Sequence, residues 1–284
     1  MRGISDGASI ALDQVWVMNL LYELEALMSN TTRQRIASDH CTDVYAVDQR
    51  GYASGFAHGH NEDWSEAVKP FWYWVKQQVK GFSQCAGLAY PGVLIGYAPT
   101  FNEHGIYATM NSLFPDRSRP NGLACVFVQR ESVCEARSMA ELKQGLARRG
   151  WSSGASLNLV DLHAQQMSNL EIWEDEHAVF DVVTNFSHVN MYKQQGFEGV
   201  LDGVEPSSVH RQRRLDEMSV PHTARDISIR LGDTEDTQLP IYRKGTLTTL
   251  VLDGISGELH IWENSNPKDT KPARVWNLTS FFQS

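Results

Sequence analysis

Apolar residues near the start of the chain recur at the spacing of an amphipathic helix. Asp13 is placed to cap the N-terminus of this predicted helix, which spans residues 13–28. The apolar positions are Val17, Leu20, Leu21, Leu24, Leu27 and Met28. Residues 29–39 are polar and without periodicity, which predicts an exposed linker.

The pattern changes to a β type at Cys41. Thr42–Val47 is a short β-prone run, residues 48–51 have turn composition, and residues 52–58 predict the paired strand. Further strands are predicted at 106–110, 156–162, 168–173, 178–184, 246–253 and 258–263, and helices near 131, at 138–148 and at 207–218. Because the strands cluster in hairpins with helices between them, we expect one α+β fold with largely antiparallel sheets.

Length and charge narrow the class of protein. The chain has 284 residues, 42% of them hydrophobic, and a net charge of −9, which argues against a nucleic-acid binder. We interpret the one basic cluster, Arg211, Arg213 and Arg214, as a solvated helix face. No run of about 18 apolar residues predicts a membrane span.

The spacing of the cysteines indicates no disulfide framework, and the spacing of the histidines indicates no metal site. Four cysteines without a C-x-x-C pair favour a reducing compartment, so we expect a cytoplasmic protein, with an upstream targeting segment as an open alternative. The histidines lack H-E-x-x-H spacing and no glycine-rich phosphate loop occurs. We therefore expect neither a metal site nor a cofactor.

Cys41 lies where the polar linker meets the first strand, and this position favours a nucleophile. A cut between His40 and Cys41 would give a cysteine with both a thiol and an α-amine, whose ordinary pKa values are about 8.5 and about 8. The amine can then act as general base for its own thiol. Attack of the same thiol on the His40 carbonyl gives a thioester whose hydrolysis would release that amine.

Two motifs resemble a known family. Cys41-Thr42-Asp43, followed by 59–64 with the sequence Gly-His-Asn-Glu-Asp-Trp, is similar to the start of the isopenicillin-N acyltransferase-like enzymes. These belong to the N-terminal-nucleophile hydrolases and include the insect N-β-alanyl-dopamine hydrolases; bile-salt hydrolases and ceramidases are more distant. Further matches follow in order at 91–97, 102–106, 111–113, 156–159, 170–171, 184–185, 207–211 and 246–253.

The resemblance implies a four-layer αββα sandwich, with residues 1–40 as a propeptide that stays associated as a light chain and 41–284 as the catalytic domain. It implies Asp63 beside the nucleophile's amine, and Asn111 and Asn185 as donors to an oxyanion. It also implies substrate-binding positions at Thr42, His60, Trp64, Thr246 and Thr248.

Three positions depart from the family pattern. His40 replaces a frequent glycine, Asp43 replaces serine or threonine, and His60 stands where distant relatives carry arginine, which a neutral imidazole cannot replace.

We expect hydrolysis of a small N-acyl amide through a Cys41 thioester. Acyl transfer to an amine and a catalytically silent binding protein are the alternatives, and the oligomeric state stays open.

Overall fold

Two antiparallel sheets with helices outside them make up the chain. The computed structural model describes residues 1–27, 41–48, 50–51, 55–115, 118–197 and 206–283. Its helices are α1 (Arg2–Ala8), α2 (Leu12–Asn19), α3 (Leu21–Ala26), α4 (Cys125–Glu135), α5 (Met139–Leu146), α6 (Pro206–Glu217) and α7 (Ala224–Leu231).

The strands divide into a six-stranded and a seven-stranded sheet. They are β1 (Thr42–Val47), β2 (Phe56–Asp63), β3 (Tyr73–Gln77), β4 (Cys85–Ala89), β5 (Thr100–Asn102), β6 (Ile106–Leu113), β7 (Gly154–Asp161), β8 (Gln166–Trp173), β9 (Glu176–Asp181), β10 (Phe186–His188), β11 (Thr246–Asp253), β12 (Glu258–Glu263) and β13 (Arg274–Asn277). The first sheet has the order β10-β1-β2-β11-β12-β13, and the second runs β3 to β9 in chain order.

Three apolar cores separate four layers. Tyr107 of the second sheet and Leu250 of the first belong to the core between the sheets. The helices α4 and α5 cover the outer face of the second sheet, where Leu142 packs with Leu157. On the outer face of the first sheet, Ile227 of α7 packs in a third core. This αββα sandwich confirms the fold that the resemblance implied.

The N-terminal segment differs from the single predicted helix. The helical conformation is interrupted at Leu20, whose φ and ψ of −111° and 12° are not helical, so α2 and α3 are separate helices. Ala11 rather than Asp13 is the N-cap of α2, and Asp13 lies in its first turn. Met28, the predicted linker and His40 lie outside the described residues. None of the described helices is long and apolar enough to cross a membrane.

The strand β2 is displaced from its predicted position and extends through the 59–64 motif. It ends at Asp63, so His60 and Asn61 are strand residues. Asn61 donates to the Leu231 carbonyl at 2.9 Å and accepts from Thr249 Oγ1 at 2.7 Å. Polar side chains are therefore paired on both faces of β2.

Cys85 and Cys134 form a disulfide that joins β4 to α4. The expectation that the cysteines are all reduced is therefore wrong for this pair. Cysteines that are 49 residues apart in sequence show no short-range spacing signal. Cys41 and Cys125 are free and buried.

Gly59 allows α7 to lie directly on β2. A Cβ at this position would lie 2.2 Å from Ile227 Cγ2 and 2.8 Å from Leu231 Cδ1, both side chains of α7. Since α7 also contacts β1 and β11, the missing side chain brings the helix close to the three central strands.

We expect Gly59→Ala to lower the free energy of unfolding by about 1–3 kcal/mol, because the added methyl overpacks this contact. Urea unfolding followed by circular dichroism measures the loss. Gly7→Ala is the matched control, since Gly7 in α1 has no neighbour within 4 Å. An equal effect of the two substitutions would contradict the close approach.

Candidate active site

Cys41 immediately precedes β1, one of the central strands of the first sheet. In the pairing of β1 with β2, Thr42 lies opposite Asn61 and Asp43 lies opposite His60. Alternation along the strand turns Asp43 and Tyr45 toward the second sheet, whereas Thr42 and Val44 face α6 and α7. Cys41 retains 7% of its surface exposed.

A chain of buried polar contacts runs along the inner face below Cys41. Asp43 accepts hydrogen bonds from His58 Nε2 at 2.9 Å, from His60 Nδ1 at 2.9 Å and from Thr109 Oγ1 at 2.7 Å. His60 Nε2 donates to Glu62 Oε2 at 3.0 Å. The hydroxyl of Tyr90 completes the chain by donating to Glu62 Oε1.

The charges of this network depend on the two carboxylates on either side of His60. Burial alone would lower the pKa of His60, but the charge of Asp43 and hydrogen bonds with Asp43, Cys41 and Glu62 raise it well above its ordinary value. Burial opposes the ionised form of Asp43, whereas the charge of His60 and hydrogen bonds from both histidines bring its pKa far below the ordinary value. Both effects favour the imidazolium form of His60 over the neutral imidazole assumed from the sequence.

The thiol of Cys41 is held protonated near neutral pH. Burial and the charge of Glu62 raise its pKa to about 11, and the hydrogen bond and charge of His60 oppose this only in part. A buried neutral thiol is a weak nucleophile, because the thiolate is the reactive form.

On the outer face, Asp63 is paired with Arg243. Arg243 Nε and Nη2 lie 3.0 and 2.9 Å from Asp63 Oδ2. Asp63 Oδ1 is buried and has no hydrogen-bond partner among the described residues. Thr246 lies opposite Asp63 and its hydroxyl accepts from the Arg243 amide at 3.1 Å, so Thr246 helps to position the arginine.

Arg211 is the residue that the sequence interpretation missed. It is fully buried, and its Nη1 donates to the Cys41 carbonyl at 2.7 Å and to Thr42 Oγ1 at 2.8 Å. Its Nη2 donates to Asn190 Oδ1 at 3.0 Å. The interpretation as a solvated face is wrong for Arg211. Its spacing from the buried Ser208 and Leu215 of α6, three and four residues away, was the available signal.

Asn111 has a free donor in the interior. Its Oδ1 accepts from Asn158 Nδ2 at 2.7 Å, while its own Nδ2 is buried and has no hydrogen-bond partner in the described part of the chain. Asn111 follows Thr109 by two residues on β6, so the two share the face that meets Asp43. Asn111 is inside β6, which ends at Leu113, rather than at the predicted strand end.

Asn185 does not join this cluster. Its Oδ1 accepts from the Val47 amide at 2.8 Å, at the opposite end of β1. Six strand residues at about 3.3 Å each separate Val47 from Cys41, a span of about 20 Å. Asn185 thus supports the β1 backbone, and its expected part in an oxyanion site does not fit this position.

Two other predicted substrate-binding residues, Thr248 and Trp64, lie near Glu62. A register shift in β11 places Thr248 opposite Glu62, and its hydroxyl donates to the Trp262 carbonyl at 2.9 Å. Trp64 packs against the ring of Tyr90 with centroids 4.6 Å apart. These residues shape the walls near Glu62 rather than offering free polar groups.

Cys41, His60 and Glu62 also bring together atoms that bind metals. One ligand atom from each residue lies within 4.8 Å of the other two. Sequence analysis passed over this group because Glu62 was not singled out. The signal was a period of two, since His58, His60 and Glu62 alternate along one face of β2.

The sandwich with a cysteine at the head of a central strand is the architecture of the N-terminal-nucleophile hydrolases. Residues 52–267 match the profile of the acyl-coenzyme A:6-aminopenicillanic acid acyl-transferase family, and the chain belongs to this family. It is thus an enzyme of the N-terminal-nucleophile type that acts on amide bonds, by hydrolysis or acyl transfer. This confirms the resemblance found in the sequence. No curated protein sequence matches the chain.

Solved structures share the fold at low identity. The Caenorhabditis elegans N-acylethanolamine-hydrolyzing acid amidase ortholog superposes with a TM-score of 0.54 and 13% identity, covering 84% of this chain and 99% of that one. Penicillin V acylase from Agrobacterium tumefaciens gives a TM-score of 0.48 and 11% identity, over 83% and 84% of the two chains. The first likeness supports the fold alone.

The imidazolium of His60 predicts a pH-dependent contribution to stability. Because its pKa is higher in the folded chain than the ordinary value of about 6.5, this contribution is complete below about pH 6.5 and is lost as pH rises through the folded pKa. We expect His60→Gln to lower the free energy of unfolding by about 3–5 kcal/mol at acidic pH, with a smaller difference from wild type at alkaline pH.

Urea unfolding of both proteins between about pH 5 and about pH 9 measures this difference. His163→Gln is the control, because His163 is an exposed histidine. A constant difference for His60→Gln across the pH range would contradict the imidazolium.

Proposed function

We propose that cleavage between His40 and Cys41 activates the chain, which then hydrolyses a small N-acyl amide through a thioester on Cys41. The observation that carries the proposal is the pair of buried groups without a partner among the described residues, Asp63 Oδ1 and Asn111 Nδ2. One is an acceptor for an amine and the other a donor for an oxyanion. His40 lies outside the described residues, so the cut itself belongs to the proposal.

The first step concerns the base. In the intact chain the Cys41 nitrogen is an amide and the thiol has a pKa of about 11, so the thiol lacks a base of its own. Cleavage would turn that nitrogen into an α-amine with an ordinary pKa of about 8. The amine can take the thiol proton during attack and return it to the leaving amine. Asp63 Oδ1 is suited to orient the amine, because Arg243 occupies only the other oxygen.

The second step concerns the developing negative charge. Attack of the Cys41 sulfur on a substrate carbonyl produces an oxyanion that needs a donor prepared in advance. Asn111 Nδ2 is such a donor, since Asn158 fixes the orientation of its amide through Oδ1. Arg211 fixes the Cys41 carbonyl and Thr42, and it thereby holds the nucleophile at the head of β1.

The N-terminal segment would stay attached after cleavage. Glu23 accepts from the Cys125 amide at 2.7 Å, and Asn19 donates to the Gly92 carbonyl at 2.8 Å. The Tyr22 hydroxyl accepts from the Leu113 amide at 2.9 Å, and Tyr22 belongs to the core beside α4. These contacts are buried or partly buried and do not involve the proposed cut, so a light and a heavy chain would remain one particle.

Acyl transfer is a second candidate, favoured by the activity after which the family is described. Both reactions share the Cys41 thioester, and an amine acceptor replaces water in the second half. The ratio of the two products in the presence of a competing amine distinguishes them. An N-acyl amide of the β-alanyl-amine type is the first substrate to assay.

The disulfide bears on localisation. Cys85–Cys134 favours an oxidising compartment, since disulfides are rare in reducing ones. We therefore propose an oxidising compartment in place of the cytoplasm.

We expect the purified wild type to appear as chains of 40 and 244 residues, with the break before Cys41 in a sequence of 284. Cys41→Ala should remain whole, because it lacks the thiol that attacks the preceding carbonyl. Intact mass spectrometry of both proteins measures the outcome. Cys125→Ala is the control, because Cys125 is also a buried free cysteine. If wild type and Cys41→Ala both remained whole, self-cleavage would be removed from the proposal and a silent binding protein would be favoured.

Asn111→Ala should lower kcat by about 10²–10³-fold, which is the usual effect of removing one oxyanion donor. Asn185→Ala is the matched control and should leave kcat within the scatter of wild type, because its side chain bonds to Val47 at the opposite end of β1. Steady-state hydrolysis of an N-acyl amide by the cleaved enzymes measures both. A loss of kcat in the Asn185 variant alone would reverse these assignments.

A further inference from the structure

The donors around Cys41 match the preferences of a zinc ion. Cys41 Sγ, His60 Nε2 and a Glu62 oxygen are sulfur, nitrogen and oxygen ligands, the set that zinc takes at about 2.3, about 2.0 and about 2.0–2.2 Å. Their ligand atoms lie within 4.8 Å of one another. His60 and Glu62 lie on β2, and Cys41 immediately precedes β1, the strand that pairs with β2.

Asp43 already supports His60 in the way that a zinc-binding histidine requires. A zinc-binding histidine almost always donates its other ring N–H to a carboxylate, a backbone carbonyl or a water, which fixes the tautomer and the ring orientation. His60 Nδ1 donates to Asp43 Oδ1 at 2.9 Å and lies 3.0 Å from Oδ2. Thr109 and His58 hold Asp43 in turn. Nε2 is therefore the atom turned toward Glu62.

Glu62 has the same kind of support. Tyr90 donates to Glu62 Oε1, which leaves Oε2 facing His60. The present separation of 3.0 Å between His60 Nε2 and Glu62 Oε2 is that of a shared proton. Tetrahedral ligands on zinc are about 3.3 Å apart when both bonds are about 2.05 Å. A few tenths of an ångström of opening would admit the ion.

We propose that Cys41 Sγ, His60 Nε2 and Glu62 Oε2 form a zinc-binding site that occupies the nucleophile and holds the enzyme inactive. The ion replaces the proton shared by His60 and Glu62 and the proton of the thiol. A thiolate, a carboxylate and a neutral imidazole then balance its two positive charges. Water, or the α-amine of Cys41 after cleavage, completes the tetrahedron. The binding stands by itself, whereas the inactivation rests on the proposed function.

The first experiment is calorimetric titration of chelator-treated, purified protein with zinc chloride. We expect one ion per chain in wild type, loss of that binding in Cys41→Ala, and unchanged affinity in Cys125→Ala, the matched control for a buried free cysteine. Asp43→Asn should weaken binding by about 10–100-fold, because it weakens the hydrogen bond that orients His60. Unchanged affinity in Cys41→Ala, or no binding by wild type, would overturn the site.

Two further variants separate coordination from damage to the fold. Glu62→Gln should weaken zinc binding at least about tenfold, because loss of a charged ligand should cost no less than loss of a residue that supports a ligand, which costs about 10–100-fold. Glu171→Gln is its control, because Glu171 is also a buried carboxylate bonded to a histidine, His188 at 2.8 Å, but has no cysteine in the pair. Cobalt as probe should give a thiolate-to-metal absorption band in wild type that is missing in Cys41→Ala. Equal weakening by both glutamine substitutions would overturn the assignment of Glu62.

The activity assay separates the two proposals. Saturating zinc should abolish hydrolysis by the cleaved enzyme, and a chelator should restore it. Full activity with one zinc ion bound per chain would overturn the inactivation and leave the proposed function standing. Zinc binding through Cys41 in a protein that never cleaves an amide would support the site while the proposed function fails.

Discussion

The pairing of Asp43 with His60 is the interaction on which the site depends. Both side chains are fully buried, and an unpaired charge at either position would cost several kcal/mol. The pair is formed across β1 and β2, directly opposite in the register, and it carries three further contacts with His58, Thr109 and Glu62. Because these contacts join the two sheets, they fix the position and orientation of β1. Cys41 takes its position from this strand.

Opposite faces of the same hairpin are assigned to different tasks. The inner face carries the ionic chain from Thr109 to Tyr90, whereas the outer face carries Gly59, Asn61 and Asp63. Gly59 has no side chain, so α7 packs closely on it, and Arg211 of α6 donates a hydrogen bond to the Cys41 carbonyl. The helical layer therefore supports the nucleophile from outside. A single polar motif in the sequence thus serves packing, backbone support and chemistry. This is a consequence of the two-residue alternation of a strand.

The sequence could predict most of this fold but only part of the site. The hairpins β7–β8 and β11–β12 and the helices α5 and α6 follow from local periodicity, and the order of motifs gave the sandwich. The raised pKa of His60 could not be predicted, because a side chain's pKa depends on partners from other strands. Arg211 was mistaken because burial of a helix face depends on what covers it. Asn185 matched a motif, but its side chain ended on the β1 backbone, a contact between residues 138 positions apart.

The proposed mechanism requires that Cys41 becomes an acylated N-terminal residue. The most direct measurement is peptide mass mapping of the cleaved enzyme after acid quenching during turnover of an N-acyl amide. We expect the acyl mass on the peptide that begins with Cys41, and its removal by hydroxylamine at neutral pH. An acyl group on Cys125, or product formation with Cys41 never modified, would contradict a thioester mechanism at this residue.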